Sequence, residues 1–220
     1  MFQIMPGTPD EVKYSVFRRI NTGGLVLNNQ EIRNAVAKPR ERAFLARLAT
    51  ASDMTSIMGD QSKRMADQEL VLRFIAFYTQ DYETSRKNIA AFLDEALKYL
   101  SERTEAELDD LENLFRRTLK YARDIFGDAA FMKESDEKEG RRRRKNATLF
   151  EVWTVCLAKQ NDADADLLVE RREQVLKKQD ALLNPEKDFF RSISLSTQKR
   201  EHVKIRHERI NTLIREVLDA

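Results

Sequence analysis

The chain has 220 residues, of which 41% are hydrophobic and 35% charged, with only six glycines and four prolines. This composition is typical of a soluble helical protein and argues against a β-sandwich, a β-barrel or long disordered linkers. The net charge of +2 indicates no global attraction to nucleic acid or membranes, and the single cysteine, Cys156, excludes an internal disulfide.

Apolar residues recur three or four positions apart through the first half of the chain, which predicts amphipathic helices. The turn at residues 21–24, Asn-Thr-Gly-Gly, separates the first two helices, because glycine readily takes the positive φ found at helix ends. Asn28 and Glu31 have the spacing of a capping box at the start of the second helix. Helices are predicted over residues 8–20 and 28–36, from Pro39 onward, and over 67–78, 82–100 and 105–126.

A segment without apolar residues, residues 133–146, interrupts this pattern. Residues 149–158 are almost continuously apolar and predict a buried helix rather than a strand, although periodicity alone does not distinguish the two. Further helices are predicted over residues 164–183 and 201–218. We therefore predict an all-α, irregular multi-helix bundle. Its parts are a first bundle with the Gly-Gly turn (1–132), a charged loop (133–146) and C-terminal helices that pack on the same bundle (147–220).

No recognisable motif predicts a catalytic residue, a metal site or a cofactor in this chain. His202 and His207 are five positions apart, about 140° around a helix, so they do not share a metal-binding face, and both are expected to be solvated. Cys156 lies in an apolar run and is expected to be a buried, inert thiol. The sequence contains no HExxH motif, nucleophile elbow or glycine-rich phosphate loop.

The sequence also lacks an apolar run of about 20 residues and an N-terminal signal peptide. We therefore expect a cytoplasmic protein with no membrane partner.

Five adjacent cations form a basic run: Arg141, Arg142, Arg143, Arg144 and Lys145. One interpretation is a solvated loop that partly pairs with itself, because residues 133–145 hold seven basic and four acidic residues. The other is binding to DNA, since adjacent cations displace counterions from a phosphate backbone. Residues 1–48, with eight cations and four anions, add to the second interpretation. No aromatic residue interleaves with the run, so base stacking there is not predicted.

The most specific pattern lies in residues 17–35, where FRRINTGG is followed by Leu27 and then by QEIRNA. This pattern resembles a segment of the GmrSD-type restriction proteins, a bacterial phage-defence family with a domain of unknown function. Residues 67–74, DQELVLRF, and the spacing of apolar residues between 189 and 210 also look like the helical region of that family. The resemblance covers nearly the whole chain, as the C-terminal helical portion of a longer protein.

The resemblance carries an expectation about activity. Intact members of the family begin with a domain similar to the ParB and sulfiredoxin fold, and this domain bears a DGQQR motif tied to nucleotide hydrolysis. DGQQR does not occur here, and residues 1–8 leave no room for that domain. The resemblance thus implies a non-catalytic remnant or split subunit of a nucleotide-dependent defence protein, with a separate DGQQR-bearing protein or domain as partner. The alternative is a stand-alone nucleic-acid-binding helical module.

Two roles for the segment at residues 16–36, the signature segment, follow from these considerations. In the first, its residues are structural: the glycines end one helix, Glu31 caps the next, and Arg33 pairs on the surface. In the second, implied by the resemblance, its polar groups face a nucleotide or phosphate held by the missing domain. The residues with this second role are Arg18, Asn21, Thr22, Gly23, Gly24 and Arg33.

Loss of a first domain would also leave apolar surface uncovered near the signature segment. We expect one contiguous exposed group there, through which the chain forms a homodimer. Its expected members are Phe2, Ile4, Met5, Tyr14, Leu25 and Val26.

Overall fold

The computed structural model describes residues 8, 12, 16, 26–85, 87–133 and 144–220. Within residues 26–220, these ranges form eleven α-helices and no strand, so the all-α prediction is confirmed. The helices are α1 (Asn29–Val36), α2 (Pro39–Ala49), α3 (Ser52–Met58), α4 (Ala66–Thr79), α5 (Ile89–Ser101), α6 (Glu105–Phe126), α7 (Ala147–Ala158), α8 (Asp162–Glu170), α9 (Arg172–Leu182), α10 (Asp188–Ser194) and α11 (Arg200–Leu218). None of the described helices combines the length and the apolar character that crossing a membrane requires.

Helices α4 and α7 pack against each other at the centre of the bundle. Around this pair, α4 also contacts α2 and α5, and α7 also contacts α6 and α11. Every residue of α7 from Thr148 to Ala158 is buried, which confirms the buried helix predicted at residues 149–158. Buried apolar side chains from both sides of the charged segment, from Phe44 to Val217, belong to one core cluster.

Side chains that cap helix N-termini explain where several helices begin. Asn28, Asn88, Asn146 and Asn161 each accept a hydrogen bond from a backbone N–H in the first turn of the following helix, and Thr104 forms a capping box with Glu107. The helix predicted to begin at residue 82 begins instead at Ile89, because Asn88 caps it. Before that cap the Asp81 carboxylate accepts hydrogen bonds from the backbone of Glu83 and Thr84, and this turn replaces the predicted helical start.

The single helix predicted at residues 164–183 is wrong, because the chain forms two helices there, α8 and α9. They are separated at Arg171, whose φ of −95° and ψ of 23° are not helical. The Arg171 guanidinium donates hydrogen bonds to the carbonyl oxygens of Val217 and Leu218 at the end of α11. This contact joins residues 46 or 47 positions apart, so the local sequence pattern does not reveal it.

The two flanks of the charged segment meet on the bundle. Met132 and Lys145 form an isolated antiparallel bridge, and the Asn146 N–H donates to the Phe131 carbonyl oxygen at 2.7 Å. Residues 134–143 between them lie outside the described part of the chain. The start of α7 is therefore held beside the end of α6 and its following turn.

Candidate functional site

Residues 28–31 of the signature segment form the capping box that the sequence predicts. The Asn28 side-chain oxygen accepts the Glu31 N–H at 2.8 Å, and the Glu31 carboxylate accepts the Asn28 N–H at 2.7 Å. Two otherwise unpaired backbone donors at the start of α1 are satisfied in this way. The capping role predicted for Glu31 is confirmed.

Glu31 has a second partner that the sequence pattern did not indicate. The Arg64 guanidinium donates to both of its carboxylate oxygens, at 3.1 Å from Nε and 2.7 Å from Nη2, and it also donates to the Val26 carbonyl oxygen. In return, the Asn28 side-chain amide donates to the Arg64 carbonyl oxygen at 3.0 Å. These hydrogen bonds, from Arg64 first and then from the Asn28 backbone, lower the pKa of Glu31. The chain entering α1 is thus attached to the turn that precedes α4.

That turn has an unusual backbone. Arg64 and Met65 have φ angles of 56° and 60°, in the left-handed region that side chains other than glycine seldom adopt. The contacts of Arg64 with Val26, Asn28 and Glu31 offset the cost of this conformation. The left-handed pair therefore positions the Arg64 guanidinium against the signature segment.

Arg33 lies in the interior, with its side chain 2% exposed, so the predicted surface pairing is wrong. Its Nε donates to Asp94 Oδ1 at 2.8 Å, and its Nη2 donates to the Ala90 carbonyl oxygen at 3.2 Å. These bonds hold α1 against α5. The structure therefore assigns Arg33 to packing inside the bundle and not to a phosphate-facing surface.

The remaining predicted phosphate-facing residues, Arg18, Asn21, Thr22, Gly23 and Gly24, lie outside the described residues. The same holds for five members of the predicted exposed apolar group, Phe2, Ile4, Met5, Tyr14 and Leu25. Its sixth member, Val26, is 61% exposed. One exposed valine is ordinary on a protein surface, so the contiguous group and the homodimer stay predictions.

Of the basic run, only Arg144 and Lys145 are described. Arg144 is exposed, whereas the Lys145 ammonium donates to the carbonyl oxygens of Asp128 and Ala130, at 2.9 and 2.8 Å. Burial lowers the pKa of Lys145. Lys145 therefore fastens the chain to the turn after α6, and Arg144 is the described member of the run that is open to solvent.

The strongest electrostatic feature is a set of buried and partly buried ionisable residues between α4, α7 and α11, which we call the Glu151 cluster: Glu69, Arg73, Glu151, Arg206 and His207. Glu151 is 0% exposed. Its Oε1 accepts hydrogen bonds from Nε and Nη2 of Arg206, the former at 2.9 Å, and its Oε2 accepts one from Arg73 Nη1 at 2.8 Å. Arg73 Nε donates in turn to Glu69 at 3.0 Å.

The two arginines determine the ionisation of Glu151. Burial alone would raise the pKa of this carboxyl group, but the hydrogen-bonded guanidinium groups of Arg206 and Arg73 counteract burial, and the pKa is lowered to about 2. Glu151 is therefore a permanent anion at neutral pH, and it is satisfied by its neighbours inside the bundle. A carboxylate so enclosed joins three helices, α4, α7 and α11.

His207 is 1% exposed, so the predicted solvated position is wrong for this histidine. Its ring stacks on Tyr82 and Phe77, with centroid distances of 4.3 and 5.4 Å. His202 is only partly exposed, with Nδ1 2.8 Å from the Leu195 carbonyl oxygen. No local signal in the sequence identified His207 as an interior residue.

Cys156 is buried in α7, as predicted, and burial raises its pKa to about 12. The thiol is therefore protonated at neutral pH and is a poor nucleophile. In the part of the chain that the structure describes, no group of three or more His, Cys, Asp or Glu side chains is arranged to hold a metal ion.

One surface cleft, of about 300 Å³ with its open mouth included, lies where α5 and α11 begin. Phe77, Tyr82 and Phe92 contribute aromatic surface, and Lys87 and Arg200 contribute cations. The Lys87 ammonium is paired with Glu95, and Arg200 donates to the Glu83 carbonyl oxygen. Both cations therefore already have hydrogen-bond partners within the protein.

No protein-family model matches this chain, and no significant match exists among curated proteins or solved structures.

Proposed function

We propose that this chain is a non-catalytic helical remnant or split subunit of a GmrSD-like, nucleotide-dependent DNA-restriction system. In this proposal it acts with a DGQQR-bearing protein or domain that hydrolyses the nucleotide. The observation that carries the proposal is the pattern in residues 17–35, FRRINTGG, Leu27 and QEIRNA. The bundle serves as a scaffold that presents this segment to the partner.

Two features of the described residues support a scaffold role. The Arg64 contacts with Val26 and Glu31 hold the end of the signature segment in one position against the start of α4. Tyr82, whose pKa is raised by burial, borders the surface cleft. Glu151, Cys156 and His207, whose pKa values are also shifted, are enclosed in the core. Perturbed groups in an enzyme are useful when they reach a cleft, and these do not.

The existence of the partner is tested first, by sequencing the DNA upstream of the Met1 codon. Its binding to this chain is then tested by co-expression. We expect an adjacent reading frame that encodes DGQQR, and we expect its product to co-elute with this chain in size-exclusion chromatography. The complex should hydrolyse GTP or ATP well above a buffer control, whereas this chain alone should not.

The signature segment provides the variant for that experiment. Asn21→Ala should weaken co-elution, whereas Lys178→Ala, which removes a partly exposed cation on α9 that pairs with Glu216, should leave it unchanged. An adjacent frame without DGQQR, or hydrolysis by this chain alone that is lost in Asn21→Ala, would contradict the proposal.

DNA binding by the basic run is the second candidate function, favoured by five adjacent cations of which Arg144 is exposed. We expect the affinity for duplex DNA to fall steeply between about 50 and 200 mM salt, because bound phosphates release counterions. Glutamine at Arg141, Arg142, Arg143 and Arg144 should reduce the slope of log affinity against log salt by about 0.9 for each phosphate that is no longer neutralised. Fluorescence anisotropy with a labelled duplex measures both quantities.

A control variant that loses the same number of charges elsewhere distinguishes an effect of the basic run from an effect of the net charge of the chain. Glutamine at four exposed cations of the C-terminal helices and their loops, Arg172, Lys177, Lys187 and Arg191, should leave the slope unchanged. Equal effects of the two variants, or no binding at about 50 mM salt, would exclude a phosphate site in the run.

A further inference from the structure

His207 is a buried polar side chain whose ring nitrogens have no hydrogen-bond partner within the described part of the chain. The nearest carboxylate oxygen is Glu151 Oε1, at 3.8 Å from Nε2, which is too far for a hydrogen bond. That oxygen already accepts two hydrogen bonds from Arg206. The ring is held by stacking on Phe77 and Tyr82 rather than by polar contacts.

Within the Glu151 cluster, the four charged residues other than His207 already form paired interactions. Two guanidinium groups, Arg73 and Arg206, are matched by two carboxylates, Glu69 and Glu151. A proton on His207 would add a positive charge, and both of these carboxylates are already paired with guanidinium groups. The ionisable groups that act on this site come from α4 (Glu69, Arg73), the following turn (Asp81, Tyr82, Glu83), α7 (Glu151, Cys156), the residue after α7 (Lys159) and α11 itself (Arg206).

We propose that His207 makes the bundle acid-sensitive: protonation of its imidazole releases α11 from α4 and α7. Release would expose the apolar face of α11, which includes Val203, Ile210, Leu213, Ile214 and Val217. The inference concerns a conformational property of the fold and does not depend on the function proposed above.

The direction of the pH effect follows from the environment of the ring. Burial lowers the pKa of His207, the charges of Arg206 and Lys159 act in the same direction, and Glu151 acts in the opposite one. The open state, in which the ring is solvated, has the ordinary pKa of about 6.5 and so binds the proton more readily. The closed state, in which α11 is packed against α4 and α7, therefore has its full stability above about pH 6.5. It loses stability as the pH falls toward the lowered pKa of His207.

Two measurements test the proposal on the intact chain. In an NMR titration, the imidazole signal of His207, assigned with His202→Gln, should stay that of a neutral ring below about pH 6.5 while the chain is folded. In urea denaturation between about pH 7.5 and 5, the unfolding equilibrium constant should rise by up to about tenfold per pH unit below about pH 6.5.

His207→Phe keeps a ring between Phe77 and Tyr82 but cannot titrate, so it should abolish this pH dependence. His202→Gln removes the other histidine and should retain it. A pH dependence that persists in His207→Phe would overturn the proposal. If that variant does not fold, the wild-type titration decides alone: a His207 signal that titrates at or above about pH 6.5 in the folded chain also overturns it.

Discussion

Replacement of Glu151 by alanine is expected to lower the free energy of unfolding by about 3–5 kcal/mol. The substitution leaves Arg206, which is fully buried, and the largely buried Arg73 without the carboxylate that both of them contact. Desolvated cations without a partner are costly, and their mutual repulsion adds to the loss. Urea denaturation at about pH 7, followed by the fluorescence of Trp153, the only tryptophan, measures the change.

An exposed ion pair provides the control for Glu151. Glu216 pairs with Lys178 while its side chain is 54% exposed, so Glu216→Ala should cost about 0–1 kcal/mol. Because the pKa of Glu151 is lowered to about 2, its contribution is complete above the ordinary pKa and is lost as the pH falls below it. The difference between wild type and Glu151→Ala should therefore narrow below about pH 4.5. Equal effects of the two substitutions at neutral pH would contradict the role assigned to the Glu151 cluster.

Replacement of Phe74 by alanine should also cost about 3–5 kcal/mol, because it opens a cavity at the contact of α4 with α6. Phe74 is 0% exposed, and its ring lies 4.9 Å from that of Phe115 and 5.8 Å from that of Tyr78. The close packing of the core leaves the surrounding helices little room to collapse into the space. The same denaturation experiment gives the change in the free energy of unfolding.

Leu195→Ala is the matched apolar control. Leu195 is 64% exposed, so its truncation should change the free energy of unfolding by no more than about 0.5 kcal/mol. A loss below about 1 kcal/mol for Phe74→Ala would mean that α4 does not form the centre of the core.

The candidate site was only partly predictable. Residues 28–31 carry a capping pattern that is complete within four positions, so both of its hydrogen bonds were foreseen. Arg64 was not, because its contacts with Glu31 span 33 positions and depend on two consecutive left-handed residues. Arginine is a residue type usually found on the surface. The burial of Arg33 is explained only by its ion pair with Asp94 on α5.

The sequence by itself determined the helical class and much of the helix pattern. Residues 105–126 were predicted as a helix with the bounds of α6, because the spacing of apolar residues is a local signal. Tertiary structure alone decided which charged residues lie inside. Glu151 meets Arg206 across 55 positions and Arg73 across 78, and although Glu151 lies in a helix predicted to be buried, neither of these partners could be identified from the helix that carries it. Burial of a charge depends on a partner from another element, and the spacing of residues within one helix carries no record of that partner.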